Sequence, residues 1–127
     1  MVIDTDIIIR FITQDDNQKA KKFQVWLKKN KKILLSDVTV AETYWVLKSF
    51  YGFSQKRIII SLESLVSYNN IVCNKVLLLS TMAQLKRYKI SFVDAYASAY
   101  SLLENDGKIL SFDKDFDKIK GIKRIEP

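Results

Sequence analysis

Apolar residues recur along this chain in two alternating ways, at helical spacings of three and four and in short unbroken runs. Met1 to Asp4 is one such run and predicts a short buried strand, followed at once by a helix from Thr5 to about Thr13. A second helix is expected from about Asp15 to Lys29, with Ala20, Phe23, Val25, Trp26 and Leu27 on its apolar side. Lys32 to Ser36 (K-I-L-L-S) predicts another buried strand. Val38, Ala41, Trp45, Val46 and Phe50 then repeat at helical spacing, with Gly52 as a stop. Ser54 caps a helix through about Ser67, Asn74 opens one through about Tyr88, and Ser91 opens one through about Asn105. Lys108 to Phe112 (K-I-L-S-F) returns to strand, a turn or short helix follows from Asp115 to Lys118, and Ile122 to Ile125 forms a last strand. Ile71-Val72-Cys73 is too short to assign.

Strands separated by helices imply right-handed crossovers and a mostly parallel sheet covered on both faces, a three-layer α/β/α arrangement. With three glycines, one proline and no repeat or linker in 127 residues, the expectation is a single domain spanning 1–127. No apolar run reaches the roughly 18–20 residues that cross a bilayer, and Met1-Val2-Ile3-Asp4 does not begin a secretory signal. The lone Cys73 cannot form an internal disulfide and suits a reducing cytoplasm.

Charge and histidine usage narrow the chemistry. Lys and Arg number 21 against 14 Asp and Glu, a formal +7, so the surface attracts polyanions such as nucleic acid. A basic balance also serves plain solubility. The absence of histidine excludes imidazole acid–base catalysis, Ser-His-Asp triads and His-ligated zinc. Catalysis must come from carboxylates, lysines, hydroxyls, the cysteine or a bound ion.

Three of the expected strands end in polar residues: Asp4, Ser36-Asp37, and Ser111-Phe112-Asp113. In open parallel sheets sites lie beyond the carboxyl ends of strands, which would make Asp4 and Asp113 neighbours. Glu42 falls within the helical stripe of Val38, Ala41 and Trp45 and is expected to face the protein, where a carboxylate needs a partner or metal; at the stripe's edge it would simply reach water. Asp94 follows Ser91 in S-x-x-D, also a capping pattern. Its i+4 and i+7 neighbours Ser98 and Ser101 form a small polar strip with room for an ion and a phosphate. Asp4 and Asp113 have plainer readings as a helix cap and a turn residue, and Asp115 and Asp117 are expected to be solvated. Clustered carboxylates repel unless a cation is present, and Mg2+ or Mn2+ prefers such oxygen ligands.

The segments V-I-D-T-D-I-I-I-R, S-D-V-T-V-A-E-T-Y-W-V-L, I-S-F-V-D-A-Y-A-S-A and L-S-F-D-K-D-F-D-K-I, in this order, resemble the PIN domain family, in particular the VapC-like toxins of toxin–antitoxin pairs. The resemblance covers essentially the whole chain. It implies a parallel sheet of about five strands between helices and an acidic quartet at Asp4, Glu42, Asp94 and Asp113. Asp4 and Asp94 are implied as the principal metal ligands, and Glu42 and Asp113 as completing the site directly or through water. Ser111 matches the small hydroxyl residue before the last acid, a water or phosphate orienter, where Thr is more usual. Asp6 stands where the family commonly has Asn or Ser.

The reaction so implied is hydrolysis of an RNA phosphodiester by metal-activated water, leaving a 3′-hydroxyl and a 5′-phosphate. Arg10 is a candidate for contacting RNA phosphate or an acidic antitoxin segment, or for a surface ion pair. The lysines from Lys19 to Lys32 guide RNA or form a solvated face. Trp26, Tyr44, Trp45 and Phe50 suit core or dimer packing better than base stacking. The helix pair Val38 to Gly52 and Ser54 to Ser67 offers either a groove for an antitoxin helix or internal core. The partners expected are thus RNA, a cognate antitoxin and a second copy, without a membrane. Three rivals stay open: a PIN nuclease in RNA processing or on structured DNA, a D-x-D phosphotransferase or phosphatase with Asp4 as nucleophile, and a non-catalytic nucleic-acid-binding or partner-binding module. Against the phosphotransferase, Ile8 stands where such enzymes prefer Thr or Val.

Overall fold

A computed structural model describes residues 1–104 and 106–127, which form two compact units, Met1–Lys75 and Val76–Pro127. In the first unit, Asp4 caps helix α1 (Thr5–Thr13) with an extended backbone, and Gln14 ends it in the left-handed region. Asp16 accepts the Lys19 amide to start α2 (Asn17–Leu27). Ala20, Phe23 and Leu27 of α2 are buried as expected, whereas Val25 is exposed. Helix α1 packs on α2 and on α3 (Asp37–Ser49). Ser54 caps α4 (Gln55–Val66), which packs against α3. Ile8, Val40, Leu47, Ile58, Leu62 and Leu65 make the fully buried centre of this unit.

Helix α3 turns a different face inward from the one its pattern predicts. Val40, Thr43, Tyr44 and Leu47 are buried, while Val38, Trp45 and Phe50 are 77%, 58% and 74% exposed. The segment V-T-V-A-E-T-Y-W-V-L is apolar on most of its circumference, so periodicity alone does not single out a face. Thr43 can enter the core because its hydroxyl donates to the Thr39 carbonyl at 2.8 Å. Trp45 and Phe50 instead meet edge to face outside the core, with centroids 5.5 Å apart.

Strands in this unit are short. Strand β1 (Ile33–Leu34) pairs in parallel with β2 (Ile71–Val72), Ile33 opposite Ile71 and Leu34 opposite Val72. The expected first strand is reduced to a bridge of Val2 with Leu34, secured by Ile3 N donating to Leu34 O (3.0 Å) and Leu34 N to Met1 O (2.8 Å).

The second unit holds most of α5 (Lys75–Arg87), then α6 (Phe92–Glu104), β3 (Lys108–Leu110), a 3-10 turn (Lys114–Lys118) and β4 (Lys123–Ile125). The expected end of α6 at Asn105 lies outside the described residues. Strands β3 and β4 are parallel, with Ile109 opposite Arg124. Buried Phe92, Ala95, Ala99, Phe116 and Ile119 supply its apolar interior. The Tyr88 hydroxyl accepts the Lys120 amide at 2.8 Å, tying the end of α5 to the chain after the 3-10 turn. The fold is α/β and every described strand pairing is parallel. These pairings amount to β2–β1 with Val2 in one unit and β3–β4 in the other, less than one sheet of about five strands.

Candidate active site

Two of the four expected acids lie in each unit. Asp4 is exposed, and its Oδ1 accepts the Thr5 amide at 2.8 Å, so the capping role is realised and fixes the carboxylate at the start of α1. Asp6, two residues on, borders the same hollow as Asp4. Glu42 does not face the interior. It is exposed on α3, because the buried stripe runs through Thr43 and Tyr44 beside it.

Asp94 sits half-exposed in the first turn of α6, where its amide donates to Ser91 Oγ at 3.1 Å. Serine 91 therefore starts the helix, and the Asp94 carboxylate lies where the helix N-terminus favours negative charge. The strip beside it is not open space. Ser98 is fully buried and donates to the Asp94 carbonyl at 2.7 Å, and Ser101 donates to the Lys108 carbonyl at 2.7 Å. Both hydroxyls serve the backbone, a use that i+4 spacing in sequence does not distinguish from a ligand pocket.

Asp113 is exposed and caps the 3-10 turn, its Oδ1 accepting the Asp115 amide at 2.9 Å. Ser111 Oγ accepts the Asp113 amide at 2.9 Å, which leaves the hydroxyl proton for another acceptor. Sequence reasoning missed what braces this turn. Arg124 donates to the Ser111 carbonyl at 3.1 Å and to Asp117 at 2.9 Å, and Glu126 lies 2.7 Å from it. Asp117 is thus ion-paired rather than merely solvated, and the Arg124 guanidinium holds its carboxyl below the usual carboxylate range. Only the β3–β4 pairing brings Arg124 here, and no local sequence signal announces it.

A depressed Asp117 stabilises the turn at pH values above the ordinary carboxylate range. That contribution fades as the pH falls through the folded value. Arg124→Gln is accordingly expected to speed amide exchange at Asp113 and Asp115 several-fold at neutral pH. The gap between the variant and the parent should narrow under acid conditions, and a constant gap across pH would contradict the ionic part of this account.

Arg10 is ion-paired with Asp15 at 2.7 Å, the surface pair among its expected uses. In donor chemistry Asp4, Glu42, Asp94 and Asp113 fit a hard divalent cation. Among the described residues, no three Asp, Glu or Cys side chains converge closely enough to hold a metal. No described helix is long and apolar enough to cross a membrane.

A family model described as PIN domain matches residues 1–122, a span that includes all four acids. No curated protein matches the chain. Among solved structures, it is similar to VapC20 of Mycobacterium tuberculosis, a protein described as a Sarcin-Ricin loop cleaving toxin. The two are 19% identical over 95% of each chain, with a TM-score of 0.44.

Proposed function

The chain belongs to the PIN domain family, and from that premise we propose that it is a divalent-metal-dependent endoribonuclease acting as the toxin of a toxin–antitoxin pair. The observation that carries this reading is the family match across residues 1–122, with the acidic motifs at Asp4, Glu42, Asp94 and Asp113 in order. The absence of histidine supports it, since the carboxylates are then the main groups able to organise phosphodiester hydrolysis. The same reading carries one domain over residues 1–127, a parallel sheet of about five strands, a homodimer, and work in the cytoplasm beside a cognate antitoxin.

Asp4 and Asp94 are the residues proposed to hold Mg2+ or Mn2+, with Glu42 and Asp113 joining directly or through water. When bound, the ion supplies a water of lowered pKa and positive charge at the phosphoryl oxygen. The chain's own part is positional. The Thr5 amide fixes the Asp4 carboxylate at the start of α1. Asp94 stands in the first turn of α6. Ser111, already accepting from Asp113, has a proton to donate to a phosphate oxygen. The net positive charge draws RNA in, so association should weaken steeply with salt.

Induction of the protein in a bacterial host is the direct test. Growth arrest is expected, with cellular RNA acquiring new 5′-phosphate ends, and purified protein is expected to cut RNA with Mg2+ or Mn2+ but not with EDTA. Cleavage that persists in EDTA would remove the metal from the mechanism, and intact RNA in both settings would remove the nuclease.

A further inference from the structure

The four acids leave the face of the first unit around Trp26 unexplained. Two hollows open there side by side. One of about 380 Å³ is bordered by Asp4, Asp6, Ile7, Phe23 and Trp26. The other, about 330 Å³, shares Asp6, Ile7, Phe23 and Trp26, and adds Arg10, Lys19 and Lys22. An aromatic floor thus has Asp4 at one end and cations at the other. Past Trp26, Lys29 Nζ lies 4.0 Å and Lys31 Nζ 5.7 Å from the ring centroid. Lys28, Lys29, Lys31 and Lys32 border a third hollow of about 390 Å³ together with Tyr68 and Asn70.

This face is held in place. Asp16 caps the start of α2, and Asn70 donates to the carbonyls of Trp26 (3.2 Å) and Lys29 (3.1 Å) at its end. Trp26 is only half-buried although its helix neighbours Phe23 and Leu27 are buried. Core packing alone does not explain that placement.

Resting on the reading of this chain as an RNA-cutting PIN nuclease, we propose that these hollows are a subsite for one nucleotide of single-stranded RNA next to the bond to be cut. The base lies against Trp26 and Phe23, its phosphate reaches Lys19 and Lys22, and the neighbouring phosphodiester lies at Asp4. The base puts a π-face on the aromatic floor while Lys19 and Lys22 meet its phosphate, the combination of stacking and charge that single-stranded nucleic acid brings. The base must be unpaired, because a duplex covers the face that stacks.

The test uses the full chain carrying Trp45→Phe, which leaves Trp26 as its single tryptophan, with Asp94→Asn added to slow cleavage. Titration with a short single-stranded oligoribonucleotide is expected to quench Trp26 fluorescence saturably. Trp26→Ala, followed with an end-labelled oligonucleotide, should weaken binding about tenfold, whereas Trp26→Phe should stay within about threefold. Replacing Lys19 and Lys22 by Ala should lower the slope of log affinity against log salt by roughly 1. In the cleavage-competent parent, Trp26→Ala should raise KM with little change in kcat. If Trp26→Ala binds and cuts RNA as the parent does, the subsite is overturned while the nuclease reading stands. Quenching by polyglutamate in place of RNA overturns it in favour of an acidic protein partner. A parent protein that neither binds nor cuts RNA overturns both readings.

Discussion

Asp94→Asn is expected to slow RNA cleavage by at least about a hundredfold, equivalent to roughly 2.7 kcal/mol of transition-state stabilisation, while RNA affinity stays within about threefold. The substitution removes charge and almost nothing else. The hydrogen bonds that Asp94 makes to Ser91 and Ser98 use its main-chain amide and carbonyl, so α6 keeps both its start and its buried serine. Any loss of activity then reports the carboxylate's chemical role. Asn also caps helices well, so Asp4→Asn is expected to behave in the same way, with α1 intact by circular dichroism. Glu42→Gln should cost less, because an exposed residue on the outer side of α3 is less firmly held. Single-turnover cleavage of a labelled RNA, with melting curves as control, measures all three. Equal rates for Asp94→Asn and the parent would leave the carboxylate without a chemical role and return the non-catalytic module as the better reading.

The second large effect concerns stability. Gly107→Ala is expected to destabilise the second unit by roughly 3 kcal/mol, lowering the melting temperature by roughly 10 °C. Gly107 has φ +80°, a region in which a side chain costs about 1–2 kcal/mol. A methyl group there would also collide with the Gly121 carbonyl oxygen and crowd Leu102 at 3.3 Å. Gly107 cannot move aside freely: the Lys123 amide donates to its carbonyl at 2.7 Å, and its own amide donates to Ser101 O at 3.0 Å. The bond from Lys123 helps bring β4 alongside β3, so the change should reach the Ser111–Asp113 turn as well. Gly52 is the matched control. Its φ is +64° but nothing lies within 4 Å of an added methyl group, so Gly52→Ala should cost only about 1 kcal/mol. Similar losses in the two variants would mean that the approach of Gly107 to Gly121 carries no weight.

Some of this molecule was readable because its signals are local. Asp4 and Ser54 start α1 and α4 where expected, since a cap acts on amides one to three residues away. The 3-10 turn follows Asp113 for the same reason. Other features were hidden because their determinants are distant. The strand expected at Met1 to Asp4 shrinks to one bridge, and the assignment depends on Leu34, far along the chain. The inward face of α3 was misjudged, and Glu42 was misplaced with it. The role of Arg124 was invisible, because strand pairing alone brings it to Ser111 and Asp117. Trp26 was legible as an aromatic on a helix but not as the border of two hollows.

By itself the amino-acid sequence determined the kind of chemistry available and where most helices begin. It contains no imidazole, it carries acids in a recognisable order, and its capping residues act within a single turn. Tertiary structure decided which side of α3 is buried, that Ser98 and Ser101 serve the backbone, and that Trp26 borders open space. Those outcomes depend on which distant surfaces a helix meets, and burial is a property of the packed pair that no single segment encodes.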